Sequence, residues 1–236
     1  MKIASHITEN LKSVQTAIEH ACQRSKRPVQ DVSLMAVTKY AKDEDVLSLL
    51  ETGAVKHIGE SRIQQAVSRW SMPSFARHHV CKHFIGHLQS NKAAQAAEFF
   101  DFIDSIDNFR TAQLLNLHAE KLNKQINILV QIKLTDRQTQ SGIALSAASQ
   151  FVKDLAALSS LHPCGYMAIA PQTDDQNLLR ALFKQVKAVF DRDFPVETAP
   201  LKFLSLGMSE DFEIAVEEGS TLPRIGSKLF AHHLEE

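Results

Sequence analysis

Strand-like and helix-like segments alternate eight times along this chain of 236 residues. The predicted strands cover residues 32–38, 57–59, 83–86, 102–106, 126–134, 166–169, 203–206 and 222–225. Apolar residues recur at helical spacing between them, over residues 43–52, a stretch ending at 70, 91–100, 108–122, 146–160, 174–190 and 210–218. This alternation is typical of an α/β fold with parallel strands. We therefore predict a single (β/α)8 TIM barrel.

An additional amphipathic helix is predicted before the first strand, over residues 3–24. Its apolar stripe consists of Ile3, Ile7, Leu11, Val14, Ile18 and Ala21. About ten residues follow the eighth strand, too few for a full last helix of a barrel. We expect the N-terminal helix to cover the flank left bare there. No linker or repeat divides the sequence, so residues 1–236 are predicted to form one domain, with residues 1–25 as its accessory helix.

A doubly wound open sheet is the alternative architecture. It would bind a dinucleotide at a glycine-rich turn after the first strand, and no GxGxxG stands there. Its absence favours the barrel.

Charge and cysteine content narrow the class of partner and the compartment. The 26 Lys and Arg residues balance 27 Asp and Glu residues, which argues against a nucleic-acid binder. Cys22, Cys81 and Cys164 lie far apart with no CxxC pair, as expected in a reducing compartment. The N-terminus turns polar too early for a signal peptide, and no apolar run approaches the ~20 residues of a membrane span. We expect a cytoplasmic protein without nucleic-acid or membrane partners.

Functional residues of such barrels lie at the carboxyl ends of the strands. The candidates at these ends are Lys39, Glu60, Ser61, His87, Met167, Gly207, Met208, Ser209, Gly226 and Ser227. The loops after strands seven and eight are the usual phosphate site. Ser209 is also expected to cap the next helix, and the following acidic pair, Glu210 and Asp211, disfavours an anion nearby. A phosphate site and a purely structural role for these residues both remain open.

Lys39 and Arg224 carry the strongest chemical signal. Lys39 ends an apolar strand, where partial desolvation would leave its amine free for Schiff-base chemistry. The alternative is a lysine that extends its amine to solvent. Arg224 lies inside an apolar strand, where a guanidinium needs a hydrogen-bonding partner or a ligand. A lysine, an inward arginine and a phosphate site together suggest pyridoxal phosphate.

A histidine-rich segment, residues 78–87, is a rival signal for a metal site. Strand alternation places Cys81, His83 and Ile85 on one face and Lys82 and Phe84 on the other. No HExxH or CxxC spacing is present. We therefore predict no metal, with His83 facing the barrel interior.

The motifs on these strands resemble those of the YggS/PROSC family of pyridoxal-phosphate homeostasis proteins, whose fold is that of the alanine racemase N-terminal domain. The resemblance runs from about residue 32 to residue 230. The matching motifs are residues 36–39 (AVTK), 58–60 (IGE), 83–92 (HFIGHLQSNK), 141–142 (SG), 167–169 (MAI), 205–209 (SLGMS) and 224–226 (RIG).

The resemblance implies a role for each matching residue. Lys39 would hold pyridoxal phosphate as an internal aldimine, and Arg224 would face the pyridine nitrogen. The phosphate would be bound by Ser209, Gly226 and Ser227. The remaining residues that the resemblance places around the cofactor are Ser61, His83, Met167, Ser205 and Gly207.

Two positions depart from the family pattern. The family has Gly-Glu-Asn-Tyr after the second strand, and this chain has Gly59-Glu60-Ser61-Arg62. Ser61 therefore stands at the position of that asparagine. The family often has Trp before His-Phe-Ile-Gly, where this chain has Lys82.

The resemblance implies a non-catalytic carrier that serves intracellular homeostasis of the cofactor, acting as a monomer with apo-enzymes as candidate recipients. Racemisation needs two positioned acid–base groups, and only Lys39 is evident. A small racemase is the alternative, with Tyr40, Tyr166 or His83 as the second group. A third hypothesis is a barrel enzyme that acts on a phosphorylated metabolite without the cofactor.

Overall fold

The computed structural model describes residues 4–135, 140–195 and 201–231. Within these ranges the chain forms nine parallel strands. They are β1 (Met35–Val37), β2 (His57–Glu60), β3 (Cys81–Phe84), β4 (Phe102–Ile106), β5 (Ile126–Lys133), β6 (Ile143–Ala144), β7 (Leu161–Ala168), β8 (Phe203–Ser205) and β9 (Arg224–Ile225).

Eight of these strands form a barrel, in the order β8-β7-β5-β4-β3-β2-β1-β9, and the short β6 pairs with β5. The two ends of this series meet through backbone hydrogen bonds. The amide of Arg224 donates to Gly207 O (3.0 Å), and the amide of Thr221 donates to Leu204 O (2.9 Å). The predicted barrel is confirmed.

Helices surround the barrel and bury the outward face of each strand. In the described residues they are α1 (Ser5–Arg24), α2 (Asp43–Glu51), α3 (Ile63–Trp70), α4 (Pro73–Ala76), α5 (Ala93–Phe99), α6 (Phe109–Lys121), α7 (Ala148–Leu155), α8 (Gln176–Asp193), α9 (Phe212–Glu217) and α10 (Ser227–Phe230). Outward-facing Ile58, Phe84 and Ile128 contribute to the main hydrophobic core beneath these helices. No helix in the described ranges is both long and apolar enough to cross a bilayer.

The N-terminal helix packs where the prediction placed it, over the flank next to the short last helix. Ile7, Leu11 and Val14 of α1 share a core cluster with Phe212 of α9 and Leu229 of α10. The Asn10 side-chain amide also donates to Leu229 O (3.1 Å). Ile3, the first residue of the predicted stripe, lies outside the described residues.

The sixth predicted strand was placed too late. The observed strand, β7, begins at Leu161 rather than at 166, and the helix before it ends at Leu155 rather than at 160. Pro163 and Gly165 resemble a turn in sequence, but here they form an irregularity in the ladder with β5. Gly165 has φ +151°, and a Cβ there would lie 1.8 Å from Phe203 O. The glycine therefore allows the close approach of β8 instead of ending the strand.

Three other predicted strands shift by a few residues, and the eighth predicted strand begins at Arg224 rather than at 222. The first strand begins at Met35 rather than at 32. The third runs from Cys81 to Phe84 rather than from 83 to 86, because the Cys81 amide already donates to Lys56 O (2.8 Å). Gly86 lies beyond the strand, where a Cβ would lie 2.5 Å from Ser61 O.

Candidate functional site

A cavity of ≈ 1060 Å³ opens at the carboxyl ends of β1, β7, β8 and β9. Five of the residues predicted to bind the cofactor line it: Lys39, Ser209, Arg224, Gly226 and Ser227. They come from positions 39 to 227 of the chain, and closure of the barrel brings them together. The cavity is large enough for a small-molecule ligand.

The turn that carries Lys39 is fixed from behind. The Arg69 guanidinium donates to Thr38 O (2.8 Å) and to Ala41 O (2.8 Å), and the Gln65 side-chain amide donates to Lys39 O (3.0 Å). The Lys39 side chain is half-buried, with Nζ 5.3 Å from the ring centroid of the exposed Tyr40. The amine is therefore presented to the cavity from a rigid turn.

A buried ion pair supports this turn. Glu60 Oε1 accepts hydrogen bonds from Thr38 Oγ1 (2.6 Å) and from the Arg69 guanidinium (3.0 Å), and Glu60 and Arg69 are both buried. Arg69 also donates to Asp43 Oδ1 (2.7 Å). Sequence analysis placed Glu60 at a strand end but missed Arg69, because its partners lie up to 31 positions away in the chain.

Arg224 is the buried cation of the site, with 4% of its surface exposed. Nη1 donates to Ser205 O (2.7 Å) and Ser205 Oγ (2.8 Å), and Nη2 donates to Ala168 O (2.9 Å). Burial lowers the pKa of Arg224 to about 10, an effect that the charges of Asp104 and Asp211 oppose. At neutral pH it remains a guanidinium held against the cavity.

Ser205 lies behind Arg224, below the surface of the cavity. It is fully buried, and its hydroxyl donates to Leu222 O (2.9 Å) while it accepts from Arg224. In this structure Ser205 orients the arginine.

Ser209, Gly226 and Ser227 form the end of the cavity where a phosphate is expected. Within the described residues, the amides of Ser209 and Gly226 make no hydrogen bond to a backbone oxygen. A Cβ on Gly226 would lie 3.2 Å from Val37 O, so glycine keeps this turn tight. Free amides and serine hydroxyls at a turn are suitable donors for an anion.

The prediction that Ser209 caps the next helix is wrong. Helix α9 begins at Phe212, with Asp211 before it, so Ser209 lies outside the helix. Asp211 Oδ1 instead accepts from the Met208 amide (2.6 Å) and closes this loop. Ser209 is thereby left to line the cavity.

Gly207 shapes the same loop from below. Its φ is +84°, and a Cβ would lie 2.5 Å from Ala215 Cβ and 2.7 Å from Phe212 Cα. The requirement for glycine therefore has a structural reason, the close packing of this turn on α9.

His83 and Met167 lie deeper in the barrel than the cavity. His83 is fully buried, stacked on Phe102 at 4.2 Å between ring centroids. Met167 is buried with Leu129 and Cys164 in the same interior. The prediction that His83 faces the barrel interior is confirmed.

Ser61 lines a neighbouring pocket rather than the main cavity. This second pocket, of ≈ 520 Å³, also contains Arg62, His87 and Lys92. Exposed Tyr40 lies between the two, because it lines the main cavity while Arg62 lies 5.9 Å from its ring centroid. The structure thus separates Ser61 from the other predicted residues.

The histidine-rich segment is dispersed by the fold. His78 lies near Glu51 (3.7 Å), His79 is exposed, His83 is interior and His87 lines the second pocket. Across residues 4–135, 140–195 and 201–231, no group of three His, Cys, Asp or Glu side chains forms a metal site.

Two of the three candidates for a second acid–base group lie away from the cavity. The Tyr166 hydroxyl donates to Asp193 Oδ2 (2.6 Å), and burial together with this carboxylate raises the pKa of Tyr166. Tyr166 therefore faces helix α8, outside the barrel. His83 is enclosed in the interior, so only Tyr40 lies beside Lys39.

The chain matches the model of a known protein family. The model described as "Alanine racemase, N-terminal domain" matches residues 14–233. A curated relative from Pasteurella multocida, named pyridoxal phosphate homeostasis protein, is 34% identical over 227 residues, covering 95% of this chain and 96% of that protein.

Two solved structures share the fold over nearly the whole chain. PipY of Synechococcus elongatus with PLP bound is 30% identical, with a TM-score of 0.79 over 95% of this chain and 100% of that one. An unknown protein from Bifidobacterium adolescentis is 26% identical, with a TM-score of 0.83 over 95% of this chain and 94% of that one.

Proposed function

The chain belongs to the pyridoxal phosphate homeostasis proteins, within the alanine racemase N-terminal domain family, and we propose that it holds pyridoxal phosphate on Lys39 without substantial catalysis. The observation that carries this proposal is the cavity itself. Lys39, a buried guanidinium and a turn with free amides line one space of ≈ 1060 Å³.

The residues present fit this cofactor at both ends. The Ser209 and Ser227 hydroxyls and the amides of Ser209 and Gly226 would bind the phosphate, whose oxygens accept several hydrogen bonds. Lys39 would attach the other end, its amine condensing with the aldehyde and releasing water. Arg224 would contact the pyridine ring. Met167, Ser205 and Gly207 support this arrangement from beneath, and the role implied for Ser61 stays a prediction.

Arg224 sets how reactive a bound cofactor would be. Bound pyridoxal phosphate acts as an electron sink for carbanions, most effectively when its ring nitrogen is protonated. A guanidinium beside that nitrogen disfavours the added proton. Ser205 and Ala168 O hold Arg224 in one orientation. Side reactions of bound amino acids would therefore be slow, which suits a carrier.

The surroundings of Lys39 also favour a carrier over an enzyme. A racemase needs a second proton donor opposite the lysine. Tyr166 is directed to Asp193, and His83 is enclosed in the interior. Tyr40 is 78% exposed and adjacent to Lys39 in the chain. It is the residue on which the racemase alternative rests.

The remaining parts of the proposal concern the whole protein. We propose that residues 1–236 act as one domain and as a monomer in the cytoplasm, with residues 1–25 as the accessory helix. Apo-enzymes that require the cofactor would be the recipients. Size-exclusion chromatography with light scattering tests the monomer, and transfer of the cofactor to an apo-transaminase tests delivery.

The first experiment maps the attachment site. Protein incubated with pyridoxal phosphate is reduced with borohydride and digested, and the mass gain is located by mass spectrometry. We expect adduct at Lys39 alone. Lys39→Ala should lose it, while the exposed neighbour variant Lys42→Ala should keep it. Adduct spread over surface lysines would overturn the proposal and favour a phosphate-binding enzyme without the cofactor.

The racemase alternative has its own test. The loaded protein is incubated with alanine in deuterium oxide, and exchange at Cα is followed by NMR. We expect no exchange above that of free cofactor. Exchange in the unaltered protein that Tyr40→Phe abolishes would establish the racemase instead.

A further inference from the structure

Two histidines and two phenylalanines close the barrel interior at the amino ends of the strands. His57, Phe102 and Phe203 are the first residues of β2, β4 and β8, and His83 lies on β3. The His57 and Phe203 rings lie 5.3 Å apart between centroids, and those of Phe102 and Phe203 lie 5.7 Å apart. We call this group of four rings the basal layer. The next inward-facing residues of the strands lie directly above it.

A fully buried carboxylate stands directly above the basal layer. Asp104 follows Phe102 by two positions on β4, and both its oxygens lie 3.0 Å from His83 Nδ1. Because a carboxylate only accepts hydrogen bonds, His83 carries a proton on Nδ1 and donates it. His83 Nε2 lies 2.9 Å from His57 Nδ1, so His57 fixes the other side of the ring. These contacts fix the position of the Asp104 carboxylate in the interior.

Arg224 lies in the same level of the interior. Ser205 follows Phe203 by two positions on β8, just as Asp104 follows Phe102, and Arg224 donates to Ser205 Oγ. The contacts of Arg224 within the described residues are two carbonyl oxygens and one hydroxyl, none of them charged. A cation removed from water with only neutral partners is costly unless a carboxylate lies near. Asp104 and Asp211 are the carboxylates whose charge reaches it, and Asp104 has the larger effect.

We propose that Asp104 is the countercharge of Arg224 and, through it, a positioning residue that sets the electrostatic potential at the cofactor ring. His83, which is itself in contact with His57, holds the Asp104 carboxylate in place. The proposal rests on the proposed function, since it concerns how the bound cofactor is tuned. It assigns the floor of the barrel a part in cofactor chemistry, although no atom of the basal layer needs to touch the ligand.

The charged groups around Arg224 define what the test must separate. The charges of Asp104 on β4 and Asp211 in the loop before α9 act on it, and Lys39 lines the same cavity from the end of β1. His83 on β3 is in contact with Asp104. Asp211 accepts from the Met208 amide beside solvent-exposed residues, so its charge is better screened. Asp104 has no such access to water.

The experiment replaces Asp104 by an uncharged residue of the same shape. Asp104→Asn is loaded with pyridoxal phosphate, and the visible absorbance of the bound cofactor is titrated against pH. Loss of a buried negative charge should lower the pH midpoint of this titration by about one unit. Cys164→Ala removes side-chain volume from the same interior without changing charge, and its midpoint should stay unchanged.

Variants of His83 keep the proposal testable if Asp104→Asn does not fold. His83→Leu removes the hydrogen-bond donor that holds the Asp104 carboxylate in place, so the midpoint should move in the same direction as in Asp104→Asn. His83→Asn keeps a donor near the same place, and its midpoint should stay near that of the unaltered protein.

The outcomes distinguish this inference from the proposed function. A mapped Lys39 adduct in every variant, with a midpoint that Asp104→Asn and His83→Leu leave unmoved, overturns the inference and leaves the carrier intact. Absence of a Lys39 adduct in the unaltered protein overturns the carrier itself. Equal shifts in Cys164→Ala and Asp104→Asn would mean that packing, not charge, is responsible, and would also overturn the inference.

Discussion

The two ends of the barrel use their polar side chains in opposite ways. At the carboxyl ends, Lys39, Ser209 and Ser227 line an open cavity, and their polar groups are available to a ligand. At the amino ends, the basal layer of His57, His83, Phe102 and Phe203 packs ring against ring. Polar groups there are bonded to one another, as between His83 and Asp104.

This difference teaches that an inward polar residue is not by itself a binding residue. In a dry interior each polar group needs a protein partner, whereas at an open mouth water or a ligand can supply it. Arg224 lies at the boundary, held by protein carbonyls on one side and facing the cavity on the other. Stability should therefore depend on the closed end, and ligand affinity on the open one.

Removing the stacked ring at the closed end should have the largest effect on stability alone. Phe102→Ala deletes a buried ring that lies 4.2 Å from that of His83, and should lower the free energy of unfolding by about 3–5 kcal/mol. Denaturant unfolding of the cofactor-free protein measures this. Phe102→Ala should still form the Lys39 adduct at denaturant concentrations below its unfolding midpoint. A loss under 1 kcal/mol would mean that the basal layer is not the stabilising end.

Arg69, which supports the Lys39 turn at the open end, should affect both stability and cofactor binding. Arg69→Met leaves the buried Glu60 carboxylate without its cation, which should also cost about 3–5 kcal/mol. Because Arg69 holds Thr38 O and Ala41 O on either side of Lys39, cofactor retention should fall as well. Exposed Arg77→Met is the matched control and should change neither quantity. Unchanged retention in Arg69→Met would show that the Lys39 turn needs no such support.

His57, at the closed end, should make the free energy of unfolding depend on pH. Burial, followed by the charges of His83 and Lys56, lowers the pKa of His57 to about 4. The unfolded chain, with a histidine pKa near 6.5, then binds a proton first, so stability is complete above about pH 6.5 and is lost as the pH falls toward 4. The part due to His57 is at most about 3–4 kcal/mol. His57→Asn should flatten the curve of unfolding free energy in that window.

His79, an exposed histidine, provides the control for that measurement. His79→Asn should leave the slope between pH 6.5 and 4 as it is in the unaltered protein. Equal slopes in the His57→Asn variant and the unaltered protein would contradict a buried neutral His57.

The smallest expected effect belongs to the open end. Ser209→Ala removes one hydroxyl donor to the phosphate and should weaken cofactor affinity about tenfold, which is about 1.4 kcal/mol. The free energy of unfolding without cofactor should change by less than about 0.5 kcal/mol. Equilibrium dialysis measures the affinity, with exposed Ser74→Ala as the control. If Ser209→Ala changed the free energy of unfolding more than the free energy of cofactor binding, the open end would not be the part of the barrel that serves the ligand.

Much of the fold could be predicted because strand and helix periodicity is local. The alternation gave the barrel and the place of its N-terminal helix, and position at a strand end selected Lys39 and Ser209. The start of β7 could not be predicted, because Pro163 and Gly165 favour a turn locally. Contact with β8, 38 positions further along the chain, decides that they form a bulged strand.

The sequence by itself determined the class of fold, the position of Lys39 at the end of the first strand, and the motifs that identify the family. Tertiary structure decided which polar side chains share a space: it placed Ser61 outside the cavity, Tyr166 against Asp193, and Asp104 beside His83. The physical reason is that periodicity reports only which face of its own element a residue occupies. Its partners, and whether water reaches it, depend on strands distant in the chain that barrel closure brings together.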